Sequence, residues 1–241
     1  MSGHPGWIAL QFLSSLPVRL PGMPAPRAMG RSLLYYPLVG LLLGTLLGLA
    51  SDLLGGAPSL LTAALLLSAW VLFSGGLHLD GLADSADAWL GGFGDRERTL
   101  LIMKDPRSGP LAVVTLALVL LLKFTALVAV LDAGHWQALL VVPVLGRSAL
   151  LGLFLTTPYV RPGGLGQALA DHLPRGTGWA VLLVTGVACL ILAPVAVILA
   201  ALLMFVGVRR MMMRRLGGTT GDTAGALLEV LEMGALVVWA L

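Results

Sequence analysis

The chain has 241 residues, of which 58% are hydrophobic and only 11% charged, with a mean hydropathy of +0.95. A soluble domain carries roughly 25% charge, so this chain could not cover a water-facing surface, and both an ordinary soluble enzyme and a disordered chain are excluded. The net charge of +3 comes with no basic stripe and interleaved aromatics, which argues against nucleic-acid binding.

What remains is an all-α, polytopic helical membrane protein. Long apolar runs do not suit the alternation of a transmembrane β-barrel. The single Cys189 lies in such a run and excludes a disulfide framework or a zinc site of thiolates. The first 30 residues hold several Pro and Gly without a compact apolar core, so no cleavable signal peptide is expected. The chain reads as one integral-membrane domain over residues 1–241.

A span needs about 20 apolar residues. In chain order, the polar amino-terminal segment carries Arg19, Arg27 and Arg31. Spans are predicted near 33–54 and 58–79. The second runs into Gly75-Gly76-Leu77-His78-Leu79-Asp80-Gly81-Leu82-Ala83-Asp84-Ser85-Ala86-Asp87. Asp80, Asp84 and Asp87 stand at i, i+4 and i+7 and share one face of a helix. Three carboxylates on one face repel, and a divalent cation is the simplest compensation. Hard oxygen ligands suit Mg²⁺ or Mn²⁺ rather than zinc. His78 is placed to act as a base or to bind substrate. The alternative is a solvated acidic helix end.

The same link carries Arg96 and Arg98 and continues through Met103-Lys104-Asp105-Pro106-Arg107-Ser108-Gly109. There Lys104 and Arg107 flank Asp105 in a Pro/Gly turn suited to phosphate, or to anchoring at the membrane surface. Spans near 110–131 and 136–157 follow. They carry Lys123, about 20 Å deep, and Arg147, about 15 Å deep at 1.5 Å per residue. The next link holds Arg175 and the Gly-rich loop Arg161-Pro162-Gly163-Gly164-Leu165-Gly166, whose glycines permit close approach to an anion.

Gly178 to Val208 is an uncharged run of 31 residues, about 46 Å as one helix, against roughly 30 Å of hydrocarbon. If it crosses once, the four arginines Arg209, Arg210, Arg214 and Arg215 fall outside. If it turns near Ala193-Pro194, all basic links share the cytoplasmic side. Spans are therefore predicted near 175–193 and 194–213, and a last one near 224–241. That makes seven, with the amino terminus in and the carboxyl terminus out; six is the alternative. Asp222, in Gly217-Gly218-Thr219-Thr220-Gly221-Asp222-Thr223, supplies a fourth carboxylate on the same side, or a helix cap. Glu229 and Glu232 lie within the last span, Glu232 about 12 Å deep. Charges in hydrocarbon default to functional or paired roles. Arg147 is expected to pair with Glu232 or Glu229 and lock helices together.

These residues resemble one family. Phe12-Leu13-Ser14-Ser15-Leu16-Pro17-Val18, Tyr36-Pro37-Leu38-Val39-Gly40, the His78 to Asp87 stretch, Met103 to Gly109, Leu145-Gly146-Arg147 and Thr220-Gly221-Asp222 occur in the order found in the cobalamin synthases, the adenosylcobinamide-GDP ribazoletransferases. Departures are modest: Ser85 stands where Thr is expected, Ala88-Trp89 where Gly-Leu is common, and Pro110 follows the Gly. The resemblance implies a Mg²⁺-dependent transferase of the bacterial inner membrane, with its active site facing the cytoplasm. It would join adenosylcobinamide-GDP to α-ribazole or its 5′-phosphate with release of GMP. It assigns His78, Asp80, Asp84 and Asp87 to catalysis, the three aspartates also to metal, and Lys104, Asp105, Arg107, Arg161 and Asp222 to substrate phosphate. Membrane lipid is an expected partner, and a homo-oligomer stays open. A lipid phosphotransferase of the CDP-alcohol type is the nearest enzyme alternative, although its full motif is absent. A transporter is the alternative from another class, but no repeat relates the halves.

Overall fold

The computed structural model describes residues 3–20 and 22–241. Twelve α-helices are formed among them. In order they are α1 (Pro5–Leu13), α2 (Pro26–Ser32), α3 (Tyr36–Leu53), α4 (Ser59–Ser74), α5 (Leu77–Gly91), α6 (Arg96–Ile102), α7 (Pro110–Asp132), α8 (Gln137–Thr156), α9 (Leu165–Asp171), α10 (Arg175–Leu192), α11 (Val195–Leu216) and α12 (Gly221–Ala240). There is no strand among the described residues, only one isolated bridge between Tyr159 and Thr219.

Prolines and glycines punctuate this order. Pro26, Pro37 and Pro110 sit in first turns, where a missing N–H costs nothing. α11 stops at Gly217, φ +74°. The apolar run 178–208 divides into α10 and α11 at Ala193–Pro194, because Pro194 donates no amide and drives the preceding residue out of the helical region.

Six helical stretches are long and apolar enough to cross a membrane: Pro26–Leu53, Pro110–Asp132, Gln137–Thr156, Arg175–Leu192, Val195–Leu216 and Gly221–Ala240. The seventh candidate is the pair α4 and α5, bent by 86°. Here the structure corrects the continuous span expected over 58–79. Gly75 and Gly76 both adopt positive φ, +61° and +72°, a conformation that side-chain-bearing residues resist, and the helix axis breaks there. α4 alone, at about 24 Å, is a short crossing. α5 turns aside from it and, with three aspartates in its 15 residues, is read as lying outside the crossing segment.

The core is unevenly shared. The apolar windows of α8 and α12 are 83% and 72% buried, whereas those of α10 and α11 are 11% and 17% buried and face outward. Helix α3 reaches α8 through Gly40 and Gly44, four residues apart. A Cβ at Gly40 would come within 2.5 Å of the Pro143 carbonyl oxygen, and one at Gly44 within 2.7 Å of the Leu140 Cα. Small residues at this spacing let helix backbones touch where no hydrophobic force separates helix from lipid. α12 packs against α5, α7, α8 and α11, so it places the residues at its start relative to every other part of the site.

Candidate active site

α5 carries the acidic cluster and lies against the start of α12. The contact is backbone to backbone. A Cβ at Gly81 would come within 2.7 Å of the Asp222 carbonyl oxygen, and one at Gly225 within 3.1 Å of the His78 carbonyl oxygen. Asp222 therefore stands beside the Asp80–Asp84 face. The start of α12 is itself held by a reciprocal cap: the Thr220 hydroxyl accepts from the Thr223 amide at 3.2 Å, and the Thr223 hydroxyl from the Thr220 amide at 2.9 Å. Such a cap satisfies amides that the first turn leaves open.

The segment 158–161 is brought to the same place by main-chain pairing. Thr219 N–H donates to the Pro158 carbonyl at 2.8 Å and Val160 N–H to the Thr219 carbonyl at 2.9 Å. This sets Arg161 against Asp222, with a guanidinium N–H donating to the carboxylate at 2.9 Å. The pair is partly exposed.

A cavity of about 530 Å³ opens among these elements. His78, Asp80, Lys104, Arg161 and Asp222 all line it. Asp84 stands next to it on α5. Its carboxyl is pushed up to about 6 by partial burial first, and then by the negative charges of Asp80 and Asp222. His78 is 4% exposed, and its Nδ1 makes no hydrogen bond.

Asp87 is engaged differently. Its carboxylate accepts from the Gly109 amide at 2.5 Å and the Ala112 amide at 3.0 Å. It thereby caps the first turn of α7, whose own N-cap Gly109 has no side chain to do so. Asp105 and Arg107 do not line the cavity. They form a two-toothed pair with each other, at 2.9 and 2.6 Å, which holds the Asp105 carboxyl well below its ordinary range. Arg107 is 86% exposed. Among the described residues no three His, Cys, Asp or Glu side chains are gathered at metal-ligand spacing.

Below the cavity, within the spans, lies a second charged group. Arg147 pairs with Glu232. Lys123 bridges Glu229 at 2.7 Å and Glu232 at 2.8 Å and lies 5.0 Å from the Trp70 ring centre. All four side chains are at most 5% exposed. Gly146 makes the room, since a Cβ there would meet Glu232 Oε1 at 2.6 Å. The sequence leaves Lys123 without a partner. The available signal was the balance of two cations and two carboxylates in the spans. Sequence reasoning also missed Phe12, Tyr36 and Tyr159 as cavity residues.

Comparison with known proteins follows the same lines. The cobalamin-5-phosphate synthase family model matches residues 6–240. An adenosylcobinamide-GDP ribazoletransferase of Pseudomonas fluorescens (strain Pf0-1) is 68% identical over 98% of this chain and 99% of its own. One from Pseudomonas putida (strain F1) is 71% identical over 98% of each chain. No solved structure matches. With nearly every residue of the chain inside the match, the chain belongs to the cobalamin-5-phosphate synthase family.

Proposed function

We propose that this transferase joins adenosylcobinamide-GDP to α-ribazole, or its 5′-phosphate, and releases GMP. The observation that carries the reading is one cavity in which Asp80, Asp222 and the adjoining Asp84 face Lys104 and Arg161. Breaking a diphosphate needs neutralised charge on the reacting phosphate and on the leaving group. A site with both signs of charge, and with carboxylates in excess of their protein partners, matches that need.

Mg²⁺ fits this donor set. Mg²⁺ is ordinarily held by one or two carboxylates with substrate phosphates and water, not by an all-protein cage. The mutual repulsion that raises Asp84 is what a cation would relieve. Asp80 and Asp84 are its proposed holders, with Asp222 adjacent. Asp87, whose oxygens already serve two amides, positions α5 on α7 and is left to ligate with its remaining lone pairs. The ion would supply charge neutralisation at the reacting phosphate.

The chain's own residues do the rest. Lys104 and Arg161 hold phosphate oxygens of the donor; Arg161 is steadied by Asp222. The Asp105–Arg107 pair shapes the turn that presents Lys104. A hydroxyl of the nucleoside attacks the phosphate attached to adenosylcobinamide. Its proton passes to His78 or Asp80 on the cavity wall. The bond to GMP breaks and GMP leaves with the electron pair. The apolar bundle is suited to the bacterial inner membrane, and the clustering of its basic links at this end favours a cytoplasmic site, beside anionic lipid.

The test is GMP release by the purified protein in detergent. Release should require adenosylcobinamide-GDP, α-ribazole and Mg²⁺ together. Turnover with diacylglycerol as acceptor would favour a lipid phosphotransferase. Ion-driven uptake without nucleotide turnover would favour a transporter.

A further inference from the structure

Helix α8 borders two separate spaces. Its Leu150 and Phe154 line the charged cavity. A different face, with Ser148, Gly152 and Thr156, lines a cleft of about 270 Å³ between α8, α10 and α11. No residue lines both, and no Asp, Glu, Lys, Arg or His is among the residues lining the cleft. The cleft is open: Trp179 and Leu202 on its walls are 51% and 56% exposed, and a Cβ at Gly186 would meet nothing within 4 Å. Its α10 wall runs from Trp179 to Cys189, about 15 Å along the helix. That is half of the roughly 30 Å of hydrocarbon, the depth of one leaflet.

Two guanidiniums converge at the end of the cleft nearest the basic links. Arg209 donates to the Thr156 hydroxyl at 3.2 Å and to the Thr157 hydroxyl at 3.0 Å, and Thr156 itself lines the cleft. Arg175, the first residue of α10, donates to the Leu155 carbonyl. Neither arginine pairs with a carboxylate among the described residues. A guanidinium carries five N–H donors, and these bonds leave donors of both unused. Arg175 is exposed and Arg209 half-buried.

Apolar walls one leaflet deep, capped by positive charge without a protein counter-ion, match the shape and charge of a phospholipid. An acyl chain gains little by leaving the bilayer for the cleft, since both are apolar. Selection therefore falls to the arginines, and a basic pocket between membrane helices suits an anionic head group. A helix from a second copy would cross both leaflets, twice the depth of the cleft. We infer that this cleft binds an anionic phospholipid of the adjoining leaflet, with one acyl chain along α10 and the phosphate on Arg175 and Arg209. The lipid fills the gap between α8 and the α10–α11 hairpin, whose apolar windows are only 11% and 17% buried. The inference rests on the chain's place in a membrane and not on the reaction proposed above.

Trp179 is the reporter. The full chain is placed in phosphatidylcholine nanodiscs doped with phosphatidylglycerol brominated on its acyl chains, and the fluorescence quenching that disappears in Trp179→Phe is followed. That quenching should saturate with phosphatidylglycerol, whereas brominated phosphatidylcholine should quench in proportion to its mole fraction. Arg175→Gln should raise the half-saturating fraction about fivefold, the scale of one arginine at a membrane surface. Arg175→Lys, which keeps the charge, should stay within about twofold of wild type. Gly186→Leu, whose side chain has room to enter the cleft, should remove the saturable component. Proportional quenching by both head groups would overturn the site. So would a half-point unmoved in Arg175→Gln, an equal shift in Arg175→Lys, or saturable quenching that survives Gly186→Leu.

Discussion

Two groups of charges lie along α12, and they differ in balance. The inner group, Lys123, Arg147, Glu229 and Glu232, has two cations and two anions, all buried and paired. The outer group, Asp80, Asp84 and Asp222 with Arg161, has one direct ion pair and carboxylates left over. Charges that must live in hydrocarbon are tolerated when they neutralise each other. Charges at a cavity wall that stay unbalanced hold an unfavourable arrangement for a ligand to relieve. The inner group therefore ties α7 and α8 to α12, and the outer one is left free to act.

That contrast can be broken from either side. The largest effect on activity should come from Asp84→Asn. Turnover should fall by about a thousandfold, the scale of losing a preorganised electrostatic contact, while the thermal midpoint in detergent holds steady. Wild-type turnover in this variant would remove Asp84 from the site. The largest effect on stability should come from Glu232→Gln, which strips Arg147 of its partner and Lys123 of one of two. A cost of about 3–5 kcal/mol is expected for breaking a buried pair, read as a clear fall in the detergent melting midpoint. An unchanged midpoint would show that the inner group does not lock the helices.

Smaller effects sharpen the outer group. Lys104→Ala should raise KM for the nucleotide donor about 10- to 100-fold, as for a lost charge-assisted hydrogen bond, with little change for α-ribazole. Equal effects on both would reduce Lys104 to a surface anchor. Because burial and its acidic neighbours raise Asp84 to about 6, the free carboxyl takes up a proton as pH falls through that value. Protonation competes with a cation, so the half-saturating Mg²⁺ concentration should climb about tenfold between pH 7 and pH 5. A flat profile would mean that Asp84 does not contribute to cation binding.

Legibility in the sequence followed the range of each interaction. The split of 178–208 was readable because 31 residues are too long for one crossing, and Pro194 offers the place to turn. The i, i+4, i+7 face of Asp80, Asp84 and Asp87 was readable because helical period is local. Its division of labour was not. The amides that engage Asp87 lie 22 and 25 residues away, and nothing in the spacing announces them. The break at Gly75-Gly76 shows the opposite failing. The dipeptide is a turn signal, but hydropathy runs across it and favoured a continuous span. Lys123 was visible as a charge in hydrocarbon, yet its bridge to both glutamates depends on how α7 and α12 pack. Arg161 beside Asp222 likewise depends on main-chain pairing between segments about sixty residues apart.

The most direct test of the central claim is metal binding read without turnover. Mn²⁺, standing in for Mg²⁺, would be titrated into the purified protein by electron paramagnetic resonance, with and without adenosylcobinamide-GDP. The account predicts one saturable signal in the wild-type protein, tightened by the donor and lost in Asp80→Asn and Asp84→Asn. Saturable binding that survives both substitutions would contradict it.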